Sequence, residues 1–325
     1  MTGVGGRLGR DPRMRFRGAL EAPAGYDTLV TVGVSLGGPV AIWSTTSGEA
    51  VLGGRYEQTS GGATFPVTQP ASPPGVAIAT YFGSTALTCV AVVHALPVAH
   101  PLIDVLADGS FLVAGARCEW REAGPELNAL AIDRDGEIRR RGCLGDGIQH
   151  LQVAPDGTIW AGYFDEGVFG NFGWGSPGPA PLGAGGIAAW SPEFDKLWEL
   201  DPEEGLVADC YSLNVSDDEV LSCPYTDFPV VRISERDVGV VQTRGVSGPT
   251  GIVANGDQIA LIGSYKDPTL FTRAVIRDGV FHETGRAHLR GPDGSALPSA
   301  QVHCRGSVVH FIAGRDWFSY DLTDD

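Results

Sequence analysis

Short runs of alternating apolar and polar residues recur along this chain, and many are joined by an Asp-Gly or Asn-Gly step, the strongest local signal for a β-hairpin. Residues 101–116, PLIDVLADGSFLVAGA, read as strand, turn at Asp108-Gly109 and strand. Residues 128–142 repeat the device at Asp135-Gly136, and residues 148–163 at Asp156-Gly157. Further hairpins follow over 186–200, 209–225 and 228–243, and around Asn255-Gly256 and Asp278-Gly279. The hairpins come in pairs, each pair filling about 45 to 50 residues, and four strands at that period predict the blades of a β-propeller. Complete blades start near Pro101, Ile148, Val207 and Pro249. A more divergent one precedes them, with residues 28–35 and 40–46 as its inner hairpin and 76–83 and 87–95 as its outer one. Residues 299–322 supply only three strands, and MRFRGAL at 14–20 supplies the fourth. The expectation is an all-β, six-bladed β-propeller forming one domain over 1–325, its last blade closed by an N-terminal strand and residues 1–13 a flexible tail. Seven blades is the alternative, if residues 53–74 hold more strand than their Gly, Ser, Thr and Pro content suggests.

Composition agrees with many short strands joined by tight turns: 46 Gly and 22 Pro stand beside only 19% charged residues. The formal net charge of −16 repels phosphate backbones and anionic membranes, so neither nucleic acid nor membrane is an expected partner. One short basic run, RDGEIRRRG at 134–142, reads as a solvated strand. No secretory signal is visible, nor a run of about 18 apolar residues, and a cytoplasmic protein is expected. Its six cysteines include no C-x-x-C pair and read as reduced, small, buried residues. If the hairpin after Asp209 turns at Ser216 and Asp217, Cys210 faces Cys223. Facing thiols and a disulfide are then both open, and a reducing compartment favours thiols.

Chemistry, if present, belongs where loops converge. In a propeller, the loops between second and third strands and the segments leading into each blade emerge on one face around the central channel. The loops are residues 116–124 with Arg117, 162–174 with Asp165, Glu166 and Trp174, 223–228 with Tyr225 and Asp227, 263–268 with Lys266, and 313–318 with Asp316. The lead-in segments add His100, Asp146, Gln149, His150, Asp209, Tyr211, Gln301 and His303. The aromatic-rich loop reads as a wall or lid, with Phe164, Phe169, Phe172 and Trp174 excluding water. His150 or His100 would act as general acid or base, oriented by Asp209 or Asp165, while Tyr211, Tyr225, Asp227, Lys266, Glu166, Arg117, Trp174 and His303 contact a small-molecule substrate. Each group also has a plain structural reading: a satisfied histidine at a strand end, an aspartate bonding its own turn, an aromatic packing a loop down.

No zinc, phosphate-loop or serine-hydrolase motif occurs and no metal ligand is assigned, while the sequence leaves open whether a metal or other cofactor is bound. Two readings of different class therefore stand: a small-molecule site with hydrolase, lyase or isomerase chemistry, and a non-catalytic platform for a protein partner. Oligomeric state is left open by the sequence.

The patterns LADGSFLVAG and VAPDGTIWAGY resemble those of six-bladed propellers of the NHL and gluconolactonase-like (SMP-30) group over most of the chain. The run at 145–175, with ADCYSLNV and YTDFPVV after it, is also similar to a group of bacterial propeller proteins, a likeness that implies the fold and no activity. The gluconolactonase resemblance implies a divalent metal held by a Glu, an Asn and an Asp, activating water for ester hydrolysis. The Glu-Gly-Pro stretch that would head this set is replaced by EAPAGYD at 21–27.

Overall fold

The computed structural model describes residues 11–324 apart from 54, 55, 59–61, 63 and 236. Six four-stranded antiparallel sheets build it, which makes the fold a six-bladed β-propeller. The chain divides into two compact units, one of residues 20–209 and one of residues 210–325 with the N-terminal stretch up to Ala19.

In the unit of residues 20–209, the first sheet runs Thr28–Ser35, Gly38–Ser44, Val76–Thr80, Cys89–Val93. The second runs Pro101–Val105, Phe111–Gly115, Ala129–Ile132, Ile138–Gly142, and the third Ile148–Val153, Ile159–Tyr163, Ile187–Trp190, Lys196–Glu199. Middle strands such as FLVAG, ALAI and IAAW are buried on both faces, so they read as continuous small and branched apolar residues rather than as an alternation. Outer strands alternate or face water: IRRRG keeps its arginines exposed, with Arg139 on Asp133 and Arg140 on the Pro192 carbonyl. Sheets pack backbone against backbone in places, and a Cβ at Gly33 would stand 1.9 Å from the Ile103 carbonyl oxygen.

In the other unit, the fourth sheet is Leu213–Val215, Val220–Ser222, Val230–Ser234, Asp237–Val241, and the fifth Gly251–Asn255, Gln258–Ile262, Leu270–Arg277, Val280–His288. The sixth has Gln301–Arg305, Val308–Ala313 and Asp316–Asp321 from the C-terminus and Arg15–Ala19 from the N-terminus as its outermost strand. Phe16 opposes Phe318 there with ring centroids 5.1 Å apart, and Met14 is buried beside the strand. The expected closure of the last blade is thus found. Residues 1–10 of the expected tail lie outside the described residues, whereas the Asp11 carboxylate accepts the His288 N–H and pairs with Arg290.

Residues 46–66 hold a short helix, α1 (Thr46–Gly53), and a two-stranded hairpin, Tyr56–Gln58 with Thr64–Pro66, so this stretch adds no seventh blade. The cysteine register needs correction. Leu213 opposes Ser222, because the turn centres on Asp217 and Asp218, with Ser216 and Glu219 closing it. Extended, that register shifts Cys210 two places from Cys223; both are buried thiols, bonded to Ser212 and Phe228 carbonyls respectively. The unforeseen cysteine pair is Cys118 and Cys143, with sulfurs 3.6 Å apart.

Candidate functional site

Antiparallel pairing fixes where the site in residues 20–209 lies. Pro101 opposes Gly115 and Ile148 opposes Tyr163, so the residue before each first strand meets the loop after each second strand. Backbone hydrogen bonds lace these segments together. The Ala116 N–H donates to the His100 carbonyl at 3.0 Å, Gly147 and Ile148 both donate to the Ala116 carbonyl, and Phe164 donates to the Gly147 carbonyl at 2.8 Å. His100 adopts a left-handed backbone, φ 48°, unusual for a residue with a Cβ.

Arg117 stands at the centre. Its side chain is almost wholly buried, and Nε and Nη2 each donate to the Asp146 carboxylate at 2.9 Å, the bidentate geometry that a planar guanidinium favours. Nη1 makes a close ion pair with Glu166, and the guanidinium lies 4.5 Å from the Phe172 ring centroid and 5.1 Å from that of Phe164. Asp146 also accepts the Cys118 N–H at 2.8 Å. Burial pushes the Asp146 carboxyl up despite Arg117 and these donors. Burial and the Arg117 charge together hold the His100 imidazole below its ordinary range.

The loop after Tyr163 is held down rather than free. A second short helix, α2 (Asp165–Phe169), begins at once and carries Glu166 to Arg117. It sits so close to the turn before the third sheet that a Cβ at Gly147, φ 74°, would lie 2.3 Å from the Gly167 nitrogen. Trp174 is buried and donates its Nε1–H to the Cys118 carbonyl at 2.8 Å. Phe172 packs edge-on against Phe65, and Phe169 is left 69% exposed. Beside this cluster Asp209 is half-buried, and burial together with the Asp165 carboxylate raises its pKa to about 6. Among the described residues, neither Asp165 nor Asp209 has an ion-pair partner within 4.0 Å.

Of the residues singled out in the sequence, His100, Arg117, Asp165, Glu166, Trp174 and Asp209 therefore fall in one neighbourhood. His150 is half-buried and opposes Gly162 just after the bulge at Gln149 in Ile148–Val153. The remaining candidates belong to the other unit. Tyr211 stacks edge-on with Phe228 at 5.3 Å and with Tyr265 at 5.8 Å, and lies 6.2 Å from Tyr225; the Tyr265 hydroxyl donates to that of Tyr211 at 3.1 Å. Tyr225 and Tyr265 are exposed, as are Asp227 and Lys266. Asp267 bonds the Thr269 N–H and hydroxyl and pairs with His288, a turn-holding role. His303 opposes His310 within the sixth sheet. Asp146, Phe228 and Tyr265 carry more of these two clusters than the sequence suggested; only their position at strand ends pointed to them.

Glu21 bonds the Leu87 N–H, and among the described residues no three His, Cys, Asp or Glu side chains gather where they could hold a metal ion. No helix among the described residues is long and apolar enough to cross a membrane.

The fold and the polar cluster define a β-propeller with an ion-paired loop clasp. No family model matches the chain, and no curated protein matches it. Among solved structures it is similar to BamB from Moraxella catarrhalis, at 15% identity and a TM-score of 0.43 over 98% of this chain and 95% of that one. It is also similar to the Cps50 (Swd1) β-propeller domain of Myceliophteria thermophila, at 8% identity and a TM-score of 0.48 over 95% and 99%. A third likeness is to AztD from Citrobacter koseri, at 9% identity and a TM-score of 0.42 over 87% and 79%.

Proposed function

We propose that residues 20–209 carry a small-molecule site whose ligand is a small organic cation, held at Asp165 and Asp209 beside the Arg117 clasp. The observation that carries this reading is the half-buried Asp209 carboxyl next to Asp165, two acids with no described cation between them. Arg117 is already matched by Asp146 and Glu166, so the charge left to be compensated is negative. An amine or ammonium ligand supplies that compensation, and half-buried Phe164 and Phe172 line the neighbourhood with aromatic surface. A carboxyl with a pKa of about 6 exchanges its proton near neutrality, so Asp209 is the group suited to general acid or base work on a bound ligand. Burial and the Arg117 charge hold the His100 imidazole below its ordinary range, so it is a second candidate as a proton acceptor.

Thermal shift with choline, trimethylamine and 1,4-diaminobutane, against sodium chloride at matched ionic strength, tests the reading. A saturable rise in melting temperature with one of the amines, lost in Asp165→Asn with Asp209→Asn, supports it. Equal shifts from amine and sodium salts overturn it.

A platform for a protein partner is the second reading, and the exposed Tyr225 and Tyr265 rings resting on buried Phe228 favour it. Tyrosines of this kind serve as anchors at protein interfaces.

A further inference from the structure

Cys118 and Cys143 come from segments that the fold holds together for other reasons. Cys118 follows Arg117 in the loop after the second sheet's second strand, and its N–H and carbonyl are fixed by Asp146 and Trp174. Cys143 follows the second sheet's last strand, in the turn that leads to Asp146. Asn128 pins that turn, donating from Nδ2 to the Gly115 and Gly145 carbonyls at 2.8 and 2.9 Å and accepting the Leu144 N–H at 3.0 Å. Between these two anchored segments the sulfurs stand 3.6 Å apart. A disulfide needs about 2.05 Å, so oxidation has to bring the two sulfurs about 1.5 Å closer.

We propose that Cys118 and Cys143 form a redox-modifiable dithiol whose substrate is a hydroperoxide, and whose oxidised form is a disulfide across the Arg117–Asp146 clasp. The two thiols have different tasks. Cys143 is partly exposed and accepts hydrogen bonds from the Cys118 thiol and the Gly145 N–H, which hold it below the ordinary thiol range against burial. Cys118 is fully buried and pushed up by its bond to Cys143 and by burial. Cys143 as thiolate attacks the outer peroxide oxygen; the O–O bond breaks, alcohol leaves, and Cys143 becomes a sulfenic acid. Cys118 then gives up its proton and attacks the Cys143 sulfur, the S–S bond forms and the hydroxyl leaves as water. Two thiols and one hydroperoxide thus yield one disulfide, one alcohol and one water. The new bond ties covalently the same two segments that Arg117 and Asp146 tie by charge.

The test is titration of the reduced full chain with hydrogen peroxide, followed by intact mass spectrometry and non-reducing peptide mapping. Cys89, half-exposed and outside the pair, serves as the internal reference. Expected is a species two hydrogens lighter with a Cys118–Cys143 crosslinked peptide, forming before Cys89 is modified and reversed by dithiothreitol. In Cys118→Ser the Cys143 sulfenic acid should accumulate and be trapped by dimedone; in Cys143→Ser neither product should form. Oxidation of Cys89 ahead of the pair, or a disulfide between any other two cysteines, would overturn the proposal.

Discussion

Residues 116–124 and 164–175 in one unit, and 223–228 and 263–268 in the other, leave the second strand of a four-stranded sheet at the same point of the repeat, yet they are held by different physics. In the first unit the loops close over a buried guanidinium bridging two carboxylates. In the second they meet through four rings, with Tyr211 at 5.3 to 6.2 Å from its neighbours. A buried ion pair carries a large desolvation cost, repaid only while every partner is present. An aromatic cluster loses its contacts piecemeal and leaves rings on the surface. One scaffold position thus yields a brittle, geometrically defined cluster in one unit and a tolerant, adhesive one in the other.

The contrast breaks most visibly at Asp146. Asp146→Ala leaves Arg117 and the Cys118 N–H without their shared acceptor, and a loss of about 3 to 5 kcal/mol is expected in urea unfolding. Arg117→Met combined with Asp146→Leu should cost less than Asp146→Ala alone; a double variant that is worse than the single one would mean that the charges stabilise rather than specify. Next in size is Trp174→Phe, which leaves the Cys118 carbonyl without its donor and should cost about 1 to 3 kcal/mol. In the other unit, Tyr265→Phe removes only the hydroxyl bond to Tyr211 at an exposed position, and a change of about 0.5 kcal/mol is expected by the same measurement.

The pH effects are opposite in sign between the units. Asp209 holds its proton up to about 6 when folded and only to 3.8 when unfolded, so its contribution makes stability fall as pH rises through that span and stay flat above it. His310, buried and accepting the Trp317 indole N–H, is held down to about 3 against 6.5 unfolded. The unfolded chain therefore takes up its proton first, and stability falls as pH drops from 6.5 towards 3. Asp209→Asn should steepen the rise of stability with pH between 3.8 and 6, and His310→Gln should flatten it, as read from urea midpoints across that range.

Hairpin chemistry is local, which is why so much of the fold was legible. Asp108 and Asp156 each accept the N–H two residues on, at 2.9 Å, and the following glycines take positive φ, so the turns are written in two adjacent letters. Where the letters were ambiguous the reading slipped: Ser216-Asp217-Asp218-Glu219 offers several turn centres, and the choice of Asp217-Asp218 moved the register by two and dissolved the Cys210–Cys223 pairing. The polar cluster was legible as a neighbourhood because strand ends converge, so His100, Arg117, Glu166 and Asp209 could be grouped without a distance. Their division of labour was not, since Arg117 is committed to Asp146 by side-chain geometry that no spacing reveals. Cys118 and Cys143, 25 residues apart in two different loops, were invisible for the same reason.

The central claim is that Asp165 and Asp209 form an uncompensated acidic pair open to a cation. The most direct measurement is the titration of the Asp209 carboxyl by carbon-13 NMR, alone and with choline, trimethylamine or 1,4-diaminobutane, whichever raises the melting temperature most. Expected is a pKa of about 6 in the free protein, falling when the amine is bound or when Asp165 is replaced by Asn. An Asp209 that titrates at the ordinary 3.8, or one near 6 that no amine and no change at Asp165 displaces, would contradict it.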